Sequence, residues 1–143
     1  MKIAVTGANG YFGKILVQFL REKNFEVKPS DLFPGRPEEG AVNCDVRDLG
    51  HLVSVFQGCD AVVHLAAFPS PWTQPDAKVY QDNTVGSYNV LLACELLGIK
   101  KICQASSINA IGGVYSRLPT YDYFPVDEEH PTYSEDPYSL SKW

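Results

Sequence analysis

The chain has 143 residues, 45% of them hydrophobic and 20% charged, enough apolar material for one domain-sized core and too much for a disordered or fibrous chain. Twelve Lys and Arg stand against seventeen Asp and Glu, a formal net charge of -5. With no basic cluster there is no face that could neutralise the phosphates of a nucleic acid or an anionic membrane, and neither partner is expected.

Residues 2–6 read as a short buried strand that runs into Gly7-Ala8-Asn9-Gly10, after which Phe12, Ile15, Leu16, Phe19 and Leu20 recur at helical spacing. Phe25 to Ser30 forms a second strand, followed by a loop rich in proline and glycine and a third short strand near Ala41 to Cys44. Leu49 to Phe56 makes a modest helix that Gly58 stops. Ala61 to Leu65 is a fourth strand, and it leads into a loop with Pro69, Pro71 and Pro75. The spacing predicts a long helix from Asp76 to Leu97, closed by Gly98, and then a fifth strand from Lys101 to Ala105. Strands alternating with helices imply right-handed βαβ units: an α/β fold, a doubly wound parallel sheet with helices on both faces. After Ser106 the alternation stops. Residues 106–137 have no clear period, and a connection that long in a compact domain is usually functional. Asp136 as N-cap and Pro137 at the first helical position then open a last helix.

Thr6-Gly7-Ala8-Asn9-Gly10-Tyr11-Phe12-Gly13 lies between a strand and a helix, where a dinucleotide-binding turn is found. Gly7 permits the sharp turn, Gly10 lets a pyrophosphate approach the backbone, and Gly13 lets the helix pack closely on the strand. A P-loop would place four residues between its glycines and Ser or Thr after its Lys. Here five separate Gly7 from Gly13, and Ile15 follows Lys14. Asp31, at the end of the second strand, is placed to bond the adenosine ribose hydroxyls; its charge repels a 2′-phosphate and favours NAD over NADP, although Arg36 could still reach a phosphate. Tyr138 and Lys142 are spaced to share one face of a helix. There an ammonium would lower the phenol pKa from its usual value of about 10 and make the tyrosine a usable general acid/base.

Taken in order, Thr-Gly-x-x-Gly-x-x-Gly at 6–13, Asp45-Val46, His64-Leu65-Ala66-Ala67, Asn83, Ser106-Ser107 and Tyr138-x-x-x-Lys142 resemble the extended short-chain dehydrogenase/reductases, the NAD-dependent epimerase/dehydratase group. The resemblance covers essentially all of Met1 to Trp143. It implies a Rossmann fold and a Ser-Tyr-Lys site: Ser107 holding the reacting oxygen with Ser106 beside it, Tyr138 exchanging the proton, Lys142 binding the nicotinamide ribose and tuning Tyr138. Gly7, Asn9, Gly10, Tyr11, Phe12, Gly13 and Asp31 would hold the cofactor together with Asp45 and Val46 flanking the adenine and Leu65, Ala66 and Ala67 lining it. Asn83 would have a structural role in the long helix beside the site. Ser106 and Ser107 could instead cap a turn, and Asp45 could cap a helix. Ala110-Ile111-Gly112 stands where many sugar-nucleotide relatives have Val-Tyr-Gly, so the chain resembles more the uronate or aldose dehydrogenase-like members. Arg117 could pair with a substrate carboxylate or be a solvated arginine beside acidic residues, and neither His64 nor His130 has a partner at catalytic spacing.

The expected reaction is NAD-dependent transfer of a hydride between nicotinamide and a hydroxyl-bearing carbon of a sugar or sugar-derived substrate. A nucleotide-sugar epimerase or dehydratase, and a non-catalytic NAD-binding regulatory module, are the alternatives. The motif order also implies that residues 1–143 are an incomplete NAD-binding Rossmann domain of five strands, with a sixth strand and the substrate-shaping part absent. The chain by itself is then expected to turn over nothing and to bind NAD weakly, while the full-length form is expected to be a homodimer. Cys44, Cys59, Cys94 and Cys103 include no C-x-x-C pair and no neighbouring His at ligand spacing, so free thiols in a reducing cytoplasm and no metal site are expected. The longest later apolar run, Ala61 to Phe68, carries His64 and is too short to span a bilayer.

Overall fold

The computed structural model describes residues 1–33, 35 and 40–143. They form two compact units, Met1–Ala67 with Val85–Ala105, and Phe68–Thr84 with Ser106–Trp143.

The first unit is a wholly parallel sheet of β1 (Lys2–Thr6), β2 (Glu26–Asp31), β3 (Val42–Asn43), β4 (Ala61–His64) and β5 (Lys101–Gln104), in the order β3-β2-β1-β4-β5. Helices α1 (Tyr11–Glu22) and α2 (Leu49–Phe56) belong to it, with the later turns of α3 (Asp76–Leu96). The alternation of side chains along β1 creates two layers. Ile3 and Val5 pack with Ala8, Val17 and Ala61, while Ala4 joins Leu52, Val55, Phe56, Val62, Val90, Ala93 and Cys94. Each strand face therefore has its own helical cover, as the doubly wound expectation requires. Leu52, Phe56 and Val90 are wholly enclosed, and each contributes roughly 1.5–3 kcal/mol by leaving water.

The element ends show how local chemistry sets boundaries. Phe25 does not open β2 as its β propensity suggested. Asn24 takes a left-handed φ of 60°, and the Phe25 N–H donates to Leu20 O at 3.1 Å, so Phe25 closes α1 in a Schellman turn. Gly98, at φ 69°, ends α3 in the same way, with the Ile99 N–H on Cys94 O at 2.8 Å. Pro29 is tolerated in β2 because of register. Ser30 O accepts from Ala8 N on the β1 side and Asp31 O from Cys44 N on the β3 side. Pro29, two residues before Asp31, faces the β3 side as well, and the pairing with β3 begins only at Ser30.

The order reverses at β1, with β2 and β3 on one side and β4 and β5 on the other. The carboxyl ends of β1 and β4 thus frame the crevice at the switch point, where open α/β sheets hold ligands.

The second unit contains the first turns of α3, a short 3-10 helix at Ile108–Ile111 and α4 (Pro137–Lys142). The stretch 106–137, aperiodic in sequence, owes its order to side-chain bonds. Buried His130 donates from Nδ1 to Pro131 O at 2.7 Å and accepts on Nε2 from Asp122 N at 3.0 Å, with the rings of Tyr121, Tyr123 and Tyr133 around it. Tyr123 in turn donates to Asp127 and Tyr133 to Asp122; the carboxylate beside its hydroxyl pushes the Tyr123 pKa up to about 12. Cys44, Cys59 and Cys94 are buried free thiols, and burial pushes Cys44 up to about 11. Among the described residues no helix is long and apolar enough to cross a membrane.

Candidate active site

In the first unit, the loop after β1 is built to omit side chains. A Cβ on Gly7, whose φ is +69°, would stand 2.6 Å from Ala66 N. One on Gly13 would stand 2.1 Å from Gly7 O and 2.8 Å from Ala8. Gly10 is the N-cap of α1 and offers no side-chain cap, so the first N–H groups of the helix face outward with the positive end of its dipole. Tyr11 and Phe12 are exposed beside them. This arrangement fits a diphosphate, which would receive the N–H groups without meeting a side chain.

Asp31 stands behind this turn. Its Oδ2 accepts from Asn9 N at 3.0 Å and its Oδ1 from Phe33 N at 3.1 Å, while Asn9 Nδ2 donates to Phe33 O at 2.6 Å. A carboxylate has about four acceptor sites, so capacity remains for ribose hydroxyls. Arg36, the residue that could meet a 2′-phosphate, lies outside the described residues. Asp45 is clasped by Arg47, with Nε 2.9 Å from Oδ1 and Nη2 2.6 Å from Oδ2, and this hydrogen-bonded guanidinium holds the carboxyl below the ordinary aspartate range. The cap of α2 is Asp48, which accepts from Gly50 N and His51 N, so Asp45 does not cap that helix. Val46 is fixed from α3. Asn89 Nδ2 donates to Val46 O at 3.2 Å and to Arg47 O at 2.8 Å, and Gly86 passes so close that its Cβ would lie 2.7 Å from Val46 Cγ2.

Thr6 and His64 are register partners at the ends of β1 and β4. Thr6 Oγ1 lies 2.7 Å from His64 Nδ1 and accepts from Ala66 N at 3.4 Å. Both side chains are buried, and together they fix the path of the half-buried Leu65, Ala66 and Ala67. His64 has no partner at catalytic spacing in the sequence; the partner it does have lies 58 positions earlier and is brought to it by the strand order.

The second unit holds Ser107, Tyr138 and Lys142. Asp136 caps α4, accepting from Ser139 N at 2.9 Å and from Ser139 Oγ, with Pro137 behind it. In the first turn Tyr138 is buried, and Lys142, one turn on, has its Nζ 5.9 Å from the Tyr138 ring centroid. Burial pushes the Lys142 pKa below the usual lysine range. The Tyr138 hydroxyl makes no hydrogen bond within the described residues. No described polar side-chain atom is both buried and unpaired, so the oxygen of this buried ring keeps access to solvent. Ser106 Oγ donates to Lys142 O at 3.0 Å, tying the segment after β5 to the end of α4. Ser107 Oγ accepts from Asn109 N and Asn109 Nδ2, both at 3.2 Å. Asn83, 4% exposed, accepts from Phe68 N at 2.8 Å and donates to Phe68 O at 3.2 Å and Ser141 Oγ at 3.0 Å. It thereby spends both amide hydrogens on protein partners. Arg117 is exposed, and its backbone N–H donates to Glu135 Oε2 at 2.6 Å.

Replacing Asp136 by alanine should cost about 1 kcal/mol of stability through the lost cap. Thermal unfolding of the variant would check this, and an unchanged Tm would show that the cap is dispensable.

Asn109 and Tyr115 were not picked out by sequence reading. Asn109 is buried in an aperiodic stretch. Tyr115 stands edge-on to Tyr138 at 5.9 Å and to Trp72 at 4.9 Å between ring centroids.

The model of the "NAD dependent epimerase/dehydratase family" matches residues 3–143. The chain is 41% identical over 108 residues to L-arabinose 1-dehydrogenase (NAD(P)(+)) of Haloferax volcanii, a match covering 74% of this chain and 41% of the relative. A short-chain dehydrogenase/reductase superfamily protein from Agrobacterium tumefaciens, solved with bound NAD, superposes with a TM-score of 0.82 at 30% identity, over 99% of this chain and 42% of that one. A UDP-galactose 4-epimerase structure gives a TM-score of 0.83 at 29% identity, over 99% and 48%. The chain therefore spans less than half the length of each of these proteins.

Proposed function

We propose that this chain, which belongs to the NAD dependent epimerase/dehydratase family, is the cofactor-binding and proton-transferring portion of an oxidoreductase that oxidises a hydroxyl-bearing carbon of a sugar or sugar-derived substrate. The observation that carries this reading is the pair on α4, a buried Tyr138 with an accessible hydroxyl and Lys142 Nζ 5.9 Å from its ring.

Gly7, Gly10 and Gly13 would admit the diphosphate of NAD at the start of α1, Asp31 would take the adenosine ribose hydroxyls, and Asp45-Val46 and Leu65-Ala66-Ala67 would flank the rest. When bound, NAD supplies the two-electron acceptor for the carbinol C–H bond. Tyr138 takes the hydroxyl proton at its Oη. Lys142 offsets the negative charge that Oη carries before it takes that proton, and binds the nicotinamide ribose. Ser107 donates a hydrogen bond to the substrate oxygen as it becomes a carbonyl. Asp31 supports NAD rather than NADP, because a carboxylate repels a 2′-phosphate.

Similarity to the arabinose dehydrogenase supports a free aldose as substrate. The superposition of 99% of this chain on 48% of the UDP-galactose 4-epimerase supports the second reading, a nucleotide-sugar epimerase. The intact enzyme should form NADH when given NAD with one of L-arabinose, D-galactose or D-galacturonate. Interconversion of UDP-glucose and UDP-galactose without net NADH would establish the epimerase instead. NAD binding with no turnover of either kind would leave a non-catalytic NAD-binding module. The four free cysteines, three of them buried, support a reducing, cytoplasmic setting. Exposed Tyr88 and Leu91 on α3 support a homodimer.

A further inference from the structure

We infer that Asn109 is a positioning residue that fixes the polarity of Ser107, making its hydroxyl a dedicated hydrogen-bond donor to the reacting oxygen. The inference rests on the proposed role of Ser107. A serine hydroxyl has one proton to give and two lone pairs to fill. Asn109 fills both, with its backbone N–H and its Nδ2 each 3.2 Å from Ser107 Oγ. What remains to Ser107 is the proton.

The orientation of the Asn109 amide is forced rather than chosen. Val114 N is 3.0 Å from Oδ1, and a backbone N–H can only donate, so the atom it meets must be the oxygen and Nδ2 must turn to Ser107. The side chain is 7% exposed, so water does not compete freely for these groups. Through Val114 the same amide anchors the segment whose next residue, Tyr115, stands edge-on to Tyr138. One buried amide thus supports both Ser107 and the wall beside the proton-exchanging tyrosine.

The aspartate variant Asn109→Asp provides the test, because it has nearly the same shape but opposite hydrogen-bonding sense. An ionised carboxylate still accepts from Val114 N, yet it cannot donate to Ser107; it takes the Ser107 proton as an acceptor and removes the donor from the substrate. In the intact enzyme N109D should lower kcat about 10²-fold, the effect of losing one such donor. Its NAD affinity should be unchanged, and part of the rate, with any Tm lost to the buried charge relative to the unaltered enzyme, should return as the pH falls and the carboxyl is protonated. N109A, structurally the coarser change, should lose less than N109D, since it leaves the Ser107 proton free. The double variant S107A/N109D should be no slower than S107A.

If N109A is slower than N109D, or the losses of S107A and N109D multiply, the role is merely structural and the inference is overturned. If S107A itself keeps full turnover, the role given to Ser107 falls, and the inference falls with it. If S107A is slow while N109D matches the unaltered enzyme, the inference fails and the proposed function stands.

Discussion

Replacing Tyr138 by phenylalanine in the intact enzyme should lower kcat by about 10²–10⁴-fold, the share commonly carried by a positioned acid/base group, and leave NAD affinity and Tm essentially unchanged. The argument for unchanged stability comes from the hydroxyl. It makes no hydrogen bond within the described residues and keeps access to solvent, so its removal leaves no orphaned partner. The ring keeps its edge-on contact with Tyr115 at 5.9 Å and its place beneath Lys142 Nζ. The substitution therefore subtracts the proton acceptor and little else. Steady-state turnover and NAD titration on the same preparation would check it; a rate within tenfold of the unaltered enzyme would remove Tyr138 from the chemistry.

The second large effect separates two glycines of one loop. Glycine to alanine inside a helix ordinarily stabilises by about 1 kcal/mol. At Gly13 the sign should reverse, because the new Cβ would lie 2.1 Å from Gly7 O and 2.8 Å from Ala8, both backbone atoms that have no rotamer in which to escape. α1 would have to move off the turn at Gly7 and Ala8, and G13A should lose about 3 kcal/mol, roughly 10 °C in Tm. Gly10 is different. Its φ of −64° suits any residue, and the added Cβ would meet only Gly7 O at 3.3 Å. G10A should therefore fold with a Tm near that of the unaltered chain, yet bind NAD at least roughly tenfold more weakly, because the methyl stands where the diphosphate approaches. Thermal unfolding and NAD titration of the two variants give the comparison. Equal Tm losses in both would mean that the loop glycines serve packing alone.

The parts of the molecule legible in the sequence are those with local causes. Leu49–Phe56 was predicted residue for residue, and Asp136 with Pro137 marked the start of α4 without tertiary information. The alternating elements implied a parallel sheet, and the sheet is parallel throughout. Phe25 was misplaced by one element because a left-handed asparagine before it closed the helix, and the capping turn overrode β propensity. The long stretch after Ser106 gave no period because its 3-10 helix is one turn long and its other ties are side-chain hydrogen bonds and ring contacts at irregular spacings. Asn109 shows the limit best. Its role depends on which of its two amide atoms faces Val114, and no spacing rule encodes that. The Thr6–His64 contact is similar, since it exists only because β4 was laid beside β1.

The two borders of the sheet differ in a way that bears on where it can grow. On the β3 side, the strand is two residues long and the preceding stretch of β2 presents Pro29, which has no N–H to offer an incoming strand. That border is guarded. On the other side, β5 presents Lys101, Ile102, Cys103 and Gln104, all exposed, with no proline among them. A further strand is consequently expected to pair more readily at β5 than at the β3 border. A strand laid along β5 meets an unbroken row of backbone groups, whereas one laid beside the free part of β2 meets the gap that Pro29 leaves.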